Sequence, residues 1–206
     1  MPAERITPGI EGKDMIYSSV LAAVVSALAA EAIDNTSKQA WQKLYEPGSE
    51  DGHDMATLSR SLERGEISRM DADCWVFARL HSQLKPRHWD VLVARFSTHK
   101  GRKVQSISRL IPMVASHAPK LFITSAVTAW AIPKMKGVDG KRSSDIIVLP
   151  AQFYDINRWD PDARPERTRR RWKKGIEDVL EEMVGEALEA AGGILNHEGL
   201  SLENAA

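Results

Sequence analysis

The sequence predicts a mainly α-helical fold with a small β element near residues 121–149. Three observations predict it. Trp89, Leu92, Val93 and Phe96 fall at i, i+3, i+4 and i+7, the apolar face of an amphipathic helix. Trp172, Ile176, Val179, Met183 and Ala187 share one face at about 100° per residue. Strand character is confined to short β-branched stretches, chiefly Ile146–Leu149. At 206 residues the chain suits one domain, or one domain with a small appendage, and can bury a core without disulfides or metal clips.

The elements follow in order. Residues 1–13 read as an irregular arm broken by Pro2, Pro8, Gly9 and Gly12. Asp14 is the expected N-cap of a helix over 15–33. The apolar run Met15–Ile33 is rich in Ala and Ser and is preceded by mixed charges, so it reads as a buried helix rather than a signal peptide or membrane anchor. Short helices are expected over Ser37–Leu44 and Met55–Arg64, with a turn at Glu46–Gly52 between them. Further helices are expected over Arg69–Leu84 and Pro86–Ser97, the latter with Pro86 as first helical residue. Val104–Ala115 predicts a helix interrupted near Pro112. Lys120–Ile132 fits helix or strand, because Phe122-Ile123-Thr124 and Val127-Thr128 weaken a helix. Gly137–Ser144 is a polar loop, Ile146–Leu149 a strand and Asn157–Arg164 a turn. A long helix from Pro165 to Ala191 is expected to close at Gly192-Gly193.

Net charge is zero, from 28 basic and 28 acidic side chains, which would argue against a nucleic-acid partner if the charges were mixed. They are segregated. Residues 1–84 carry −5, residues 85–109 carry +6, residues 110–163 carry +1, residues 164–174 carry +6 and residues 175–206 carry −8. A polyanion responds to local potential, so two basic blocks between acidic ends remain compatible with DNA.

The stronger block is Arg164–Lys174 at the start of the long helix. Arg167, Arg170 and Lys174 lie together opposite the Trp172 face, with Arg171 and Lys173 flanking them. Trp172 is expected to pin the helix to the core, and Arg164 and Arg169 complete the cationic set. Cations in the first turns oppose the helix dipole, a local cost that contact with phosphates or guanine edges would offset. The pattern predicts a recognition helix of helix-turn-helix type. The second block, after the Trp89 helix, offers Lys100, Arg102 and Lys103 as a phosphate clamp. The chain is thus divided into a helical region (1–84), a helix-turn-helix-like DNA-binding domain (85–195) with an insertion at 97–148, and a flexible tail (196–206).

Enzyme and cofactor chemistry find no footing in the motifs. Gly137…Gly140-Lys141-Arg142-Ser143 is not a phosphate-binding loop, since Met135 stands in place of the leading glycine and Arg142 in the hydroxyl slot. Asp71 and Asp73 diverge on a helix, and Asp155, Asp160 and Asp162 read as turn and capping residues. Cys74 is the single cysteine, and the six histidines lack metal-binding spacing, so neither a disulfide nor a metal is expected. A reducing cytoplasm is the expected compartment.

Two stretches carry a family resemblance. Leu84…Arg87-His-Trp-Asp-Val-Leu-Val-Ala-Arg-Phe96 and Leu149…Arg167-Thr-Arg-Arg-Arg-Trp-Lys-Lys-Gly-Ile-Glu-Asp-Val-Leu180 resemble the phage antitermination protein Q family, in its compact members with a sigma-region-4-like helix-turn-helix. The first is similar to the helix that opens that module and the second to its last helices. The resemblance covers about a third of the chain. It implies a non-enzymatic protein of the host bacterial cytoplasm. Such a protein binds double-stranded DNA near a late promoter, loads onto RNA polymerase and carries it through terminators. Two rival expectations are an oligomeric DNA-packaging protein of small-terminase type, associating through the long helix, and a helical interaction protein that binds no nucleic acid.

Overall fold

The structure is a computed structural model that describes residues 17–30, 68–134 and 147–198. Among these residues it is mainly helical and contains no strand. The expected Asp14 cap, the helices at 37–44 and 55–64, the turn at 46–52 and the loop at 137–144 lie outside the described residues.

Helix α1 spans Val20–Ala30 and is entered through Ser19, whose Oγ accepts from the Ala22 amide at 3.1 Å. It buries Ala23, Val24, Ala27 and Leu28. No described helix is long and apolar enough to cross a membrane. Helix α2 spans Arg69–Gln83 and starts in a capping box. The Asp71 amide donates to Ser68 Oγ, and the Ser68 amide donates back to Asp71 Oδ2 at 3.0 Å. Two orphan amides are satisfied together. Helix α3 spans Pro86–Phe96, with proline in its first turn as predicted.

Helix α3 sits in the middle of the molecule, against α1 on one side and three later helices on others. This explains why Val91 and Ala94 are as fully buried as Leu92 and Val93. A one-sided helix would have left them exposed. Trp89 and Phe96 are half-buried at the margins of the core.

Helix α4 spans Lys100–Leu110 and continues into a 3-10 turn, Ile111–Met113, where Pro112 stands. It starts four residues earlier than the sequence reading of Val104, so Lys100, Arg102 and Lys103 are helical. Helix α5 spans Lys120–Ala131. The β-branched residues that suggested a strand are accommodated because this helix buries Phe122, Ala126, Val127 and Trp130. Burial outweighs a weak local preference. The expected small β element is therefore absent among the described residues: 120–131 is helix, and 147–150 has no regular structure.

Two 3-10 turns, Ala151–Tyr154 and Ile156–Arg158, lead to helix α6, Glu166–His197. The expected stop at Gly192-Gly193 does not occur. Gly192 lies against α1, where an added Cβ would meet Val20 Cγ2 at 3.2 Å. That glycine serves close helix approach rather than chain termination. Asn196 and His197 are consequently helical rather than part of a flexible tail, and Glu198 accepts from Gln83 Nε2 at 3.0 Å. Helices α4 and α5, inside the segment expected as an insertion, supply Ile107, Leu110, Phe122, Ala126, Val127 and Trp130 to the same core as α3 and α6.

Candidate nucleic-acid interface

The start of α6 is held by aromatic packing. Trp172 meets Phe122 of α5 edge-on, with ring centroids 5.5 Å apart, and Phe122 meets Trp159 in the same way at 5.4 Å. The expected role of Trp172 as an anchor takes this form. Trp159 is buried, and its indole N–H donates to the Phe153 carbonyl at 2.7 Å. The sequence predicts a turn here. The one signal for Trp159 was a large aromatic residue inside a polar stretch.

The turn before α6 is organised by Asp160. Its carboxylate is buried and accepts from the Arg164 amide at 2.7 Å, the Asp162 amide at 3.3 Å and Arg164 Nη1 at 2.9 Å. Burial raises the proton affinity of this carboxyl. The two backbone donors and the Arg164 charge together outweigh burial and hold it below the usual carboxylate range. Asp155 likewise accepts from the Asn157 amide at 3.0 Å. Both act as the turn residues the sequence implied.

The predicted cations of this block fall into three groups. Arg164 is bound to Asp160 and Asp162 and lies over the Trp172 ring at 5.3 Å. Arg170 pairs with Glu166, one turn back, and Lys173 pairs with Glu177 at 3.4 Å. Arg169 is half-buried, with a buried Nε that has no hydrogen-bond partner among the described residues. Arg167, Arg171 and Lys174 are exposed and make no ion pair among the described residues. No α-helix precedes α6 within residues 147–165.

The second block is built differently. The turn Ser97-Thr98-His99 separates α3 from α4. His99 caps α4, its Nδ1 accepting from the Arg102 amide at 3.2 Å. The two helices are locked together by Asp90. This buried carboxylate accepts from Ser106 Oγ at 2.9 Å and lies 3.4 Å from Arg109 Nη1. Lys103 turns inward and closes the end of α3, its Nζ donating to the Arg95 carbonyl at 3.1 Å and the Ser97 carbonyl at 3.3 Å. Burial, with the nearby Arg95 charge adding to it, pushes its ammonium down to about 8. Lys103 is thus a helix-capping cation more than a phosphate ligand. Arg102 lies over the Phe77 ring at 5.3 Å, and Lys100 is exposed in the first turn.

On α4 the buried side chains are Ser106, Ile107 and Leu110. At about 100° per residue, the opposite face carries Gly101, Val104, Gln105 and Ser108. All four are exposed, Val104 to 52%.

The two basic blocks have different neighbours. The start of α4 lies by the end of α3 and the middle of α2, whereas the start of α6 lies by the start of α5 and Trp159. Comparison with known proteins finds no matching family model, no matching curated protein and no matching solved structure.

Proposed function

We propose that this chain is a sequence-specific DNA-binding regulator that engages the duplex with α4. One observation carries the reading. Two packed 11-residue helices, α3 and α4, are joined by a three-residue turn, and the second opens with Lys100 and Arg102 beside an uncharged outward face. The short link supports comparison with a helix-turn-helix, whose second helix presents its first turns to the groove. Lys100 and Arg102 serve as phosphate contacts beside it. The cations Arg167, Arg171 and Lys174 on α6 add a separate electrostatic surface for the DNA backbone.

Antitermination is the narrower form of this reading. It rests on the resemblance of Leu84–Phe96 and Leu149–Leu180 to the protein Q family, which brings RNA polymerase in as a partner.

The test is a DNA titration at two salt concentrations. Binding weakens as salt rises. Lys100/Arg102→Ala flattens the slope by up to about two phosphate contacts, and Arg167/Arg171/Lys174→Ala by up to about three. Unchanged slopes in both variants would sink the reading. Run-off transcription through a terminator, with and without the protein, tests antitermination separately: unchanged readthrough on its own late promoter rules it out. A ring-sized oligomer in light scattering would favour DNA packaging instead.

A further inference from the structure

The outward face of α4 differs from the rest of the basic block. Its centre holds Gly101, Gln105 and Ser108, with Val104 alongside, and none of these carries charge. Charged neighbours stand at its borders: Lys100 and Arg102 near the start and Arg109 near the end, the last tied back to Asp90. Protein surfaces are commonly about a quarter to a third charged residues of both signs. A helix that lies in a DNA groove needs cations at the edges for phosphates and short uncharged groups at the centre for bases.

Each residue has the chemistry for that role. Gln105 is exposed and has no hydrogen bond among the described residues, so both its amide N–H groups and its carbonyl are available. A glutamine amide matches adenine, donating to N7 and accepting from the N6 amino group. Val104 presents a branched apolar surface next to it, suited to a thymine methyl group. Ser108 Oγ donates to the Val104 carbonyl of its own helix at 3.0 Å and keeps its lone pairs as acceptors. Gly101 has no side chain to hold the first turn away, and a Cβ there would meet only the His99 ring, at 3.4 Å.

We infer that Gln105 and Val104 are the specificity-determining residues of this protein, reading an adenine and an adjacent thymine methyl in the major groove of double-stranded DNA. This inference rests on the proposed DNA-binding role of α4 and adds which bases are read and by which side chains.

The experiment is selection of binding sites by the full chain from a randomised DNA duplex library, followed by titration of the selected site. The wild-type chain is expected to enrich a motif containing an A·T step. Gln105→Ala is expected to lose discrimination at one position of that motif, by roughly 10-fold. Its affinity for unrelated DNA and its salt slope stay as in the wild type, because no charge is removed. Gln105→Arg is expected to shift the preference at that position toward guanine, since arginine pairs with guanine O6 and N7. Gln105 is exposed, so both variants fold, and circular dichroism verifies this. If the wild type binds DNA but enriches no motif, the inference is overturned and the DNA-binding reading stands. The same holds if Gln105→Ala keeps the full motif. If the wild type binds no DNA at all, the DNA-binding reading fails and this inference fails with it.

Discussion

Ala163 has φ of 47°, the left-handed conformation that a side chain disfavours. It occupies the turn closed by Asp160 and Arg164, where the tight geometry requires that backbone. Ala163→Gly is therefore expected to stabilise the protein by about 0.5–1 kcal/mol, checked by chemical denaturation. Two helical glycines on α6 should respond differently to alanine. Gly175 is exposed with nothing within 4 Å of an added Cβ, so Gly175→Ala gains about 1 kcal/mol of helix propensity. Gly192→Ala gains less or loses, because Val20 must give way. Lys103 sets a pH window at the same scale. Its folded pKa of about 8 lies below the ordinary 10.5, so between these values the unfolded chain holds a proton that the folded chain has released. Stability should then rise with pH from about 8 toward 10, and Lys103→Met should flatten that rise in urea titrations. Above 10 the sign reverses. Tyr17, raised above its ordinary 10.0 by burial and by donating to Asp73, ionises in the unfolded chain first, and that favours unfolding.

At the scale of elements, α6 depends on two fastenings. At its start, Trp172 packs on Phe122 and receives Arg164 on its ring. At its middle, Glu181 accepts from Trp130 Nε1 at 2.8 Å and lies 3.5 Å from Arg95 Nη2. Arg95 also lies 5.0 Å from the Trp130 ring and donates to the Trp130 carbonyl at 2.7 Å, so α3, α5 and α6 meet at one point. Trp172→Ala is expected to cost about 2–3 kcal/mol, below the range for a fully buried tryptophan because the ring is half-buried. Amide exchange should quicken over Arg167–Lys174 and stay slow over Leu180–Leu195, where the helix is separately packed. Equal acceleration along the whole of α6 would contradict independent fastening. Helix α5 marks where sequence reading reached its limit. Its β-branched residues balanced the local preference between helix and strand, and contacts with α3 and α6 decided it. The same holds at Gly192-Gly193, a local stop signal that the close approach of Gly192 to Val20 of α1 overrides.

For the whole molecule, the charge segregation legible in the chain places the two basic blocks at the starts of α4 and α6, beside different neighbours, and leaves the later part of α6 acidic. The cations of the two blocks differ in their partners among the described residues. Arg164, Arg170 and Lys173 are paired with acids, Lys103 caps α3, and Arg167, Arg171 and Lys174 stand clear on α6. The helical class, the start of α3 at Pro86, the Trp172 anchor and the positions of both basic blocks are legible in the chain. Each of these follows from periodicity, capping chemistry or local composition, which neighbouring residues carry. The central place of α3, the contribution of α4 and α5 to the core and the partners of each cation are set by packing. Those outcomes depend on contacts between residues far apart in the chain, such as Asp90 with Ser106 and Phe122 with Trp172. No local pattern contains them, because the free energy that selects them comes from surfaces brought together by folding.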